Sequence, residues 1–276
     1  MNKAKPFVKW VGGKRAIMES LKKYIPKEYN TYYEVFVGGG ALLLELSPKK
    51  AVISDYNAEL INVYRCLKNK RKLALICDEL DKHELNHCEE YFYTIRALDR
   101  NKESFDKLED YVKASRTIYL NKACFNGKYS VNKKNEFNSS FGKKLKVNTY
   151  NRDNLYLINE YLNTNNITIL NTDFENALKS AKKGDFVYLD PPYDTDTTIF
   201  NKYTNKGFGK EEQIRLSKVF KDLDKRGCYV MLSNYNTQLI NKLYQDFNIH
   251  IINGKTCLCG NVSGRGIREE LIITNY

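Results

Sequence analysis

The sequence predicts an α/β protein in which a mostly parallel sheet of seven strands is interrupted by a mainly helical insertion. Three observations support this prediction. Short apolar runs alternate with helical stretches at the beginning of the chain and again from residue 166 onward. Between these two parts, apolar residues recur at helical spacing and the alternation is lost. A chain of 276 residues that is 42% hydrophobic can bury one sizeable core, or one core and a smaller module.

The first part of the chain has the order strand, turn, helix, strand. Tyr32–Val37 predicts a buried strand that ends on Gly38-Gly39-Gly40, and Ala41–Leu46 predicts the helix that follows. Ala51–Ser54 predicts a second short strand, which ends before Asp55. This order is typical of a parallel sheet.

The middle part, residues 66–165, predicts helices. Leu73, Ile76 and Leu80, for example, recur at near-helical spacing. The last section of this part differs, because Phe125–Phe141 has a polar stretch between two arms that carry aromatic residues. That section predicts a hairpin or an ordered loop.

The last part of the chain returns to the α/β pattern and completes the seven strands. Its five apolar runs of strand length are Ile167–Leu170, Phe186–Leu189, Tyr229–Leu232, Ile249–Ile252 and Leu271–Thr274. Most of these runs are separated by predicted helices near Glu175–Ser180, Lys210–Leu223 and Thr237–Tyr244.

Charge and composition favour a polyanionic partner in the cytoplasm. The net charge is +12, although a bias toward Lys, Asn, Ile and Tyr, typical of AT-rich coding, would also give a basic chain. No apolar run approaches the ~20 residues of a membrane span, and no secretory signal is visible, so we expect a cytoplasmic protein. The seven Cys form no paired clusters, which predicts reduced thiols and no metal. His83, His87 and Cys88 leave a metal site as the less favoured alternative.

The strongest chemical feature is Asp190-Pro191-Pro192-Tyr193, at the end of a predicted strand, where ligands bind in open α/β sheets. The two prolines lack N–H groups and hold the carbonyls of Asp190 and Pro191 in fixed directions. An exocyclic purine amine is a poor nucleophile. Two acceptors, the Asp190 carboxylate and the Pro191 carbonyl, would draw it toward tetrahedral geometry and stabilise the developing charge. Tyr193 would stack on the base. The alternative is a proline turn that only ends the strand.

A glycine-rich turn predicts a nucleoside site. Gly38-Gly39-Gly40, preceded by Phe36, joins the first strand to a helix, where glycines let the backbone approach a ligand and expose N–H groups. Asp55 ends the second strand, where a carboxylate suits a pair of ribose hydroxyls. Leu43 stands where a dinucleotide fingerprint has its third glycine, which weakens an NAD interpretation and leaves an adenosine-type ligand open.

The segment Lys5-Pro-Phe-Val-Lys-Trp-Val-Gly-Gly-Lys14 carries two further candidates. Lys14 follows a turn at Gly12-Gly13 and would reach a carboxylate. Trp10, the only Trp of the chain, packs either on a cofactor or under the sheet, and the sequence favours neither.

These three motifs, in this order, resemble those of the Dam family of adenine-N6 DNA methyltransferases, the α class. The resemblance covers nearly the whole chain. It includes Cys124-Phe-Asn-Gly and Glu136-Phe-Asn-x-x-Phe-Gly142, which are similar to the family's DNA-recognition hairpin. It implies a Rossmann-like seven-stranded methyltransferase sheet in a catalytic domain of residues 1–60 and 166–276, with an inserted target-recognition domain at 61–165. The implied reaction moves a methyl group from S-adenosylmethionine to N6 of an adenine flipped out of double-stranded DNA, without a metal.

The resemblance also implies roles for single residues. The cofactor would be bound by Trp10, Lys14, Phe36, Gly38, Gly39, Gly40, Asp55, Asp173, Phe174 and Asp190. The target base would be held by Asp190, Pro191, Pro192 and Tyr193. The DNA would be contacted by Lys122, Phe125, Asn126, Lys128, Ser130, Lys133, Lys134 and Ser140. Seven Lys and one acid between Lys122 and Lys146 are typical of a DNA-contacting surface, and also of a solvated hairpin.

One departure from the family pattern concerns the target sequence. Members that read GATC carry an Arg four residues after the Asn that matches Asn126, where this chain has Ser130. The usual Leu and Val-Pro are Lys128 and Ser139-Ser140. A bidentate Arg–guanine contact is worth roughly 1–3 kcal/mol of discrimination. We therefore expect methylation of adenine in a site other than plain GATC.

Two functional alternatives stay open: methylation of RNA or of another amine, and a DNA-binding protein that has lost catalysis. The intact motifs argue against the second. The expected partners are double-stranded DNA and a cognate restriction endonuclease that shares the target without physical contact, and the expected state is a monomer or weak dimer. Asp194–Lys210 is either a lid over the flipped base or an ordinary polar loop.

Overall fold

The computed structural model describes residues 3–10, 12–195, 207–255 and 267–276. Its strands are β1 (Tyr32–Glu34), β2 (Lys50–Ser54), β3 (Asn166–Leu170), β4 (Phe186–Leu189), β5 (Tyr229–Tyr235), β6 (Asn248–Lys255) and β7 (Ile267–Thr274). They form one sheet in the order β3-β2-β1-β4-β5-β7-β6. Strands β1 to β5 are parallel to one another, and β7 runs antiparallel between β5 and β6. The predicted α/β class and the seven strands are confirmed.

Helices cover the sheet and fill the middle part of the chain. They are α1 (Met18–Lys22), α2 (Ala41–Leu46), α3 (Ala58–Lys68), α4 (Lys70–Leu85), α5 (Glu89–Ala97), α6 (Lys102–Asp106), α7 (Asp110–Ala123), α8 (Arg152–Thr164), α9 (Phe174–Ala177), α10 (Lys210–Lys225) and α11 (Gln238–Leu243). Asparagine side chains cap several N-termini. Asn57, for example, accepts a hydrogen bond from Leu60 N at the start of α3.

The predicted strands differ from the observed ones mainly at their ends. Strand β4 has the predicted bounds, and all four of its residues are buried, as expected for a central parallel strand covered on both faces. Strand β1 ends at Glu34, earlier than the predicted Val37. Val37 N still donates to Ser54 O at 3.0 Å, but the chain already bends there into the glycine turn.

The order of the strands creates a crevice between β1 and β4. From β1 the sheet extends through β2 to β3, and from β4 it extends in the opposite direction to β5. In open α/β sheets, ligands bind beside the carboxyl ends of the strands where the order reverses in this way. The glycine turn follows β1 and Asp190 follows β4, so the strand order brings both motifs to this point.

The middle part is helical up to Ala123, then forms a hairpin-like loop, and ends with α8. Antiparallel bridges join Cys124 to Phe141 and Val131 to Phe137, as the predicted hairpin requires. One hydrophobic cluster includes Tyr188 of the sheet together with buried residues of α4, α5 and α7. The boundary expected between residues 60 and 61 falls within α3. The division into two domains therefore stays a prediction.

Histidines of the helical part bind tyrosines. His83 Nδ1 lies 2.8 Å from the Tyr91 hydroxyl, and His87 Nδ1 lies 2.9 Å from the Tyr119 hydroxyl. Across the described ranges, no three His, Cys, Asp or Glu side chains are grouped so as to hold a metal ion. In the same ranges, the structure contains no helix with the length and apolar character needed to cross a membrane.

Candidate active site

The turn after β1 is shaped by two glycines with positive φ. Gly38 has φ +49° and Gly40 has φ +70°. A Cβ on Gly38 would lie 2.7 Å from Trp10 Cδ1, and one on Gly40 would lie 2.6 Å from the Tyr64 hydroxyl oxygen. That hydroxyl also donates a 3.0 Å hydrogen bond to Gly38 O. The turn therefore has room only for glycine at both positions, and Trp10 packs directly against it.

Asp55 fixes the other side of this turn. Its Oδ2 accepts a 3.0 Å hydrogen bond from Gly38 N, and its Oδ1 accepts one of 2.9 Å from Asn57 N. Burial raises the pKa of Asp55 to about 6, and the backbone hydrogen bonds oppose that rise. Tyr56, the next residue, is 51% exposed. An exposed aromatic residue next to Asp55 in the chain is a feature that we did not predict.

Asp190 and Lys14 form an ion pair at the carboxyl end of β4. Lys14 Nζ lies 2.8 Å from Asp190 Oδ1, and the two side chains are only 5% and 18% exposed. Lys14 Nζ also donates a 2.5 Å hydrogen bond to Gly12 O. Burial raises the pKa of Asp190 to about 6, while the positive charge of Lys14 limits the rise. Oδ1 is buried, and among the described residues the Lys14 ammonium is the group that balances its charge.

Tyr193 is held from three sides. Lys14 Nζ lies over its ring, 4.6 Å from the centroid. The Tyr193 hydroxyl donates a 3.2 Å hydrogen bond to Glu270 Oε2, and the ring meets that of Tyr235 edge to face at 4.7 Å. Burial and the charge of Asp190 raise the pKa of Tyr193 well above its usual value, so the phenol stays neutral.

Asp173 and Phe174 are bound by an arginine that the sequence did not indicate. Arg215 of α10 donates to both carboxylate oxygens of Asp173, at 2.9 and 2.6 Å, and stacks on Phe174 at 4.1 Å. Burial would raise the pKa of Asp173, but Arg215 lowers it. The Phe174 ring also contacts Phe36 at 5.5 Å, and Phe208 completes a three-ring cluster. Most of the segment 194–210, for which a lid or an ordinary loop was expected, lies outside the described residues, including Phe200 and Tyr203.

The hairpin-like loop buries several apolar side chains and exposes most of its lysines together with Phe125. Tyr129, Val131 and Phe137 are buried. The exposed side chains are Phe125, Asn126, Lys128, Lys133, Lys134 and Ser140, whereas Lys122 and Ser130 are half-buried. These are the residues expected to contact DNA. Phe125 is 57% exposed, and Asn126 beside it has φ 55°. An exposed aromatic ring on a tight turn suits a contact with a base.

The loop is connected to the cofactor side through Trp10 and Lys9. Tyr129 packs on Trp10 with ring centroids 5.2 Å apart. Buried Asn121 accepts a 2.8 Å hydrogen bond from Lys9 N and donates one of 2.8 Å to Lys9 O. Its amide also donates to Gly127 O at 3.3 Å. One asparagine thus ties the N-terminal segment to the base of the loop.

Two groups of predicted residues therefore come together. Trp10, the glycine turn and Asp55 share one side of the crevice, and Lys14, Asp190 and Tyr193 share the other. Sequence reasoning missed Glu34, a buried carboxyl in β1 that accepts a 2.8 Å hydrogen bond from the Tyr32 hydroxyl. A charged residue inside an apolar run is a signal that could have identified it.

Comparison with known proteins identifies the family. The family model described as D12 class N6 adenine-specific DNA methyltransferase matches residues 10–257. The chain belongs to this family. Among its relatives, the Type II methyltransferase M1.LlaDCHI of Lactococcus lactis subsp. cremoris is 43% identical, over 99% of this chain and 95% of the relative.

More distant relatives extend the same assignment. The Type II methyltransferase M.MjaIII of Methanocaldococcus jannaschii is 37% identical over 99% of both chains. The DNA adenine methylase of Escherichia coli K12 is 29% identical over 99% of this chain and 95% of its own. The predicted class of enzyme, an adenine-specific DNA methyltransferase, is confirmed. Membership of this D12 family also implies the use of S-adenosylmethionine.

Proposed function

We propose that this D12 methyltransferase binds S-adenosylmethionine across the carboxyl ends of β1, β2 and β4 and methylates an adenine held at Asp190–Tyr193. The observation that carries the proposal is the position of Asp190. Its largely buried carboxylate lies at the point where the strand order reverses and pairs there with Lys14.

The geometry of the glycine turn fits the cofactor. At Gly38 and Gly40 even a methyl group would meet Trp10 and Tyr64, so only glycine keeps the tight backbone path that we infer a nucleoside approaches. Asp55 supplies carboxylate oxygens for ribose hydroxyls. The proposed binding residues are Trp10, Lys14, Phe36, Gly38, Gly39, Gly40, Asp55, Asp173, Phe174 and Asp190. S-adenosylmethionine supplies an electrophilic methyl group when it is bound.

The Asp-Pro-Pro-Tyr corner makes the adenine amine reactive. The Asp190 carboxylate and the Pro191 carbonyl accept one N6 hydrogen each, which frees the nitrogen lone pair. The N6 lone pair would then form the new N–C bond as the C–S bond breaks and its electron pair returns to sulfur, which leaves as a neutral thioether. Both acceptors would stabilise the positive charge on nitrogen until N6 releases one proton to solvent. Pro192 restricts the backbone, and Tyr193 contacts the base.

The hairpin-like loop is the proposed DNA contact. Burial, with the charges of Lys9, Arg15 and Lys144, lowers the pKa of Lys122 to about 8. Such crowding of cations is relieved by a phosphate group. Phe125 and Asn126 would fill the space left by the flipped base, whereas Lys128, Ser130, Lys133, Lys134 and Ser140 would contact the duplex.

The proposal also covers the target sequence, the partner enzyme and the oligomeric state. Because Ser130 cannot make a bidentate contact to guanine, we infer a target other than plain GATC. A cognate restriction endonuclease with the same target, and a monomer or weak dimer as the working state, complete the proposal.

Mapping methylated adenines after expression in an unmethylated host tests the target. Methylation in one defined context other than GATC is expected, and a uniform GATC pattern would contradict it. Transfer of labelled methyl groups to DNA and to RNA, by wild type and by Asp190→Ala, tests the site. Transfer to DNA that is lost in Asp190→Ala is expected, whereas equal rates for the two proteins would end the assignment of Asp190.

A further inference from the structure

The two prolines of the catalytic corner cannot be fixed through backbone N–H groups. Pro191 and Pro192 have none, so this stretch of backbone has only carbonyl oxygens with which to bind the rest of the protein. If the Pro191 carbonyl is to accept a hydrogen bond from an amine, residues other than the two prolines must fix its direction. The structure shows which groups bind the corner on its far side.

Two buried amides bind the chain just after Pro191. Gln213 Nε2 of α10 donates a 2.9 Å hydrogen bond to Pro192 O. Asn234 Nδ2 of β5 donates one of 3.2 Å to Gln213 Oε1, so the two amides are joined. Asn234 Oδ1 accepts hydrogen bonds from Asp194 N at 2.8 Å and from Tyr235 N at 2.9 Å. The carbonyl of Pro192 and the N–H of Asp194 are thus both bound by one amide pair.

The network is closed and lies inside the protein. Gln213 is 1% exposed, Asn234 is 0% exposed, and Thr237 is 6% exposed. The Thr237 hydroxyl donates a 2.6 Å hydrogen bond to Asp194 Oδ2 and caps α11 by accepting from Ile240 N. A buried polar network in which the polar atoms have partners specifies one arrangement, because any other would leave a donor or acceptor unpaired.

We propose that Gln213 and Asn234 are positioning residues for methyl transfer, which replace the missing N–H groups of the proline corner and set the direction of the Pro191 carbonyl toward the target amine. This inference rests on the role proposed above for Asp190 and Pro191. The amide pair contacts the backbone that follows Pro191, so its loss displaces the corner and leaves the glycine turn and Asp55 unchanged.

The first test is Gln213→Met, which keeps the length of the side chain and removes both hydrogen bonds. At saturating DNA and S-adenosylmethionine, its single-turnover rate is expected to fall about 100-fold, the effect of a small misplacement of a reacting group. The Kd for S-adenosylmethionine should change less than about threefold. The matched control is Ser217→Ala, a buried polar residue of the same helix that bonds only Ile214 O among the described residues, and it should keep the wild-type rate.

The second test is Gln213→Glu, which separates positioning from a general loss of structure. A protonated carboxyl donates to Pro192 O and accepts from Asn234, but an ionised one cannot donate. Its rate divided by the wild-type rate should therefore rise about tenfold as the pH is lowered from about 8.5 to about 6. Division by wild type removes the titration of Asp190 from the comparison. The ratio for Gln213→Met should not change with pH.

Two outcomes overturn the inference: a Gln213→Met rate within about threefold of wild type, or a Gln213→Glu ratio that does not change with pH. The second outcome decides even if Gln213→Met proves unstable. Asp190→Ala, assayed in parallel, keeps the two proposals apart. If Asp190→Ala is as active as wild type, the proposed site is wrong, whereas an inactive Asp190→Ala beside normal Gln213 variants removes only this inference.

Discussion

Lys14 Nζ lies 2.8 Å from Asp190 Oδ1, and both side chains are largely buried. A cation from the N-terminal segment therefore stands beside the carboxylate that follows β4. Because the pKa of Asp190 is raised by burial to about 6, the pair sets the pH range in which the carboxylate is an acceptor.

The pH dependence of methyl transfer follows from this pair. Wild-type single-turnover rates should be constant above about pH 7 and fall about tenfold per pH unit below the Asp190 pKa of about 6, because the protonated carboxyl loses acceptor capacity. Lys14→Met removes the charge that favours ionisation, so its acid limb should move to higher pH. An unchanged acid limb in the variant would show that another group titrates.

Gly38→Ala tests the glycine turn. The added methyl group would approach Trp10 to 2.7 Å at φ +49°, which costs about 1–3 kcal/mol through overpacking and strain. Affinity for S-adenosylmethionine, measured by calorimetry, should fall about tenfold or more. The control is Gly209→Ala, where nothing lies within 4 Å of the added group and no loss is expected. Normal cofactor affinity in Gly38→Ala would place the nucleoside elsewhere.

Glu34→Gln tests the buried carboxyl under the site. Burial raises the pKa of Glu34 to about 8, so the folded protein holds a proton that the unfolded chain loses above its ordinary carboxyl pKa. The wild-type free energy of unfolding should therefore decrease as the pH rises toward 8. Glutamine cannot ionise, so the variant does not lose this stability. Its free energy of unfolding should equal that of wild type near pH 5 and exceed it by about 1–3 kcal/mol near pH 9.

Urea denaturation at the two pH values measures this difference. Glu90→Gln, at an exposed position of α5, should show no such dependence. If Glu34→Gln is less stable than wild type at both pH values, the Glu34 carboxyl is ionised in the folded protein and the prediction is wrong.

Lys133→Ala combined with Lys134→Ala tests the DNA surface. If both exposed lysines contact phosphates, their loss should weaken the salt dependence of DNA binding. The slope of the logarithm of the DNA association constant against the logarithm of the salt concentration should become less steep by about 0.9 for each lysine lost. Binding to all duplexes should weaken without a change in the methylated context. Lys221→Ala, on α10 and paired with Asp246 at 3.4 Å, is the matched control. Identical salt slopes in wild type and double variant would move the contact surface elsewhere.

The elements of this fold were predictable because local patterns encode them. The apolar run Phe186–Leu189 predicts β4 with its observed bounds, and the motif after it reaches the crevice because parallel strands end at one edge. Partners that are distant in sequence were not predictable. Arg215 binds Asp173 across 42 residues, and nothing in its helical segment distinguishes it from other surface arginines. Gln213 and Asn234 escaped notice for the same reason.

If the proposed sites are correct, the contact between Trp10 and Tyr129 would make the binding of the two substrates energetically dependent on each other. Trp10 packs on the glycine turn and also on Tyr129 of the loop proposed to contact DNA. A DNA duplex that rearranges the loop would also shift Trp10, which packs on the glycine turn proposed to bind the nucleoside. Linkage is reciprocal, so the factor by which DNA changes cofactor affinity equals the factor by which the cofactor changes DNA affinity. Such coupling would favour the complex of enzyme, DNA and S-adenosylmethionine over the complex with either substrate alone. The enzyme would then bind S-adenosylmethionine more weakly when DNA is absent.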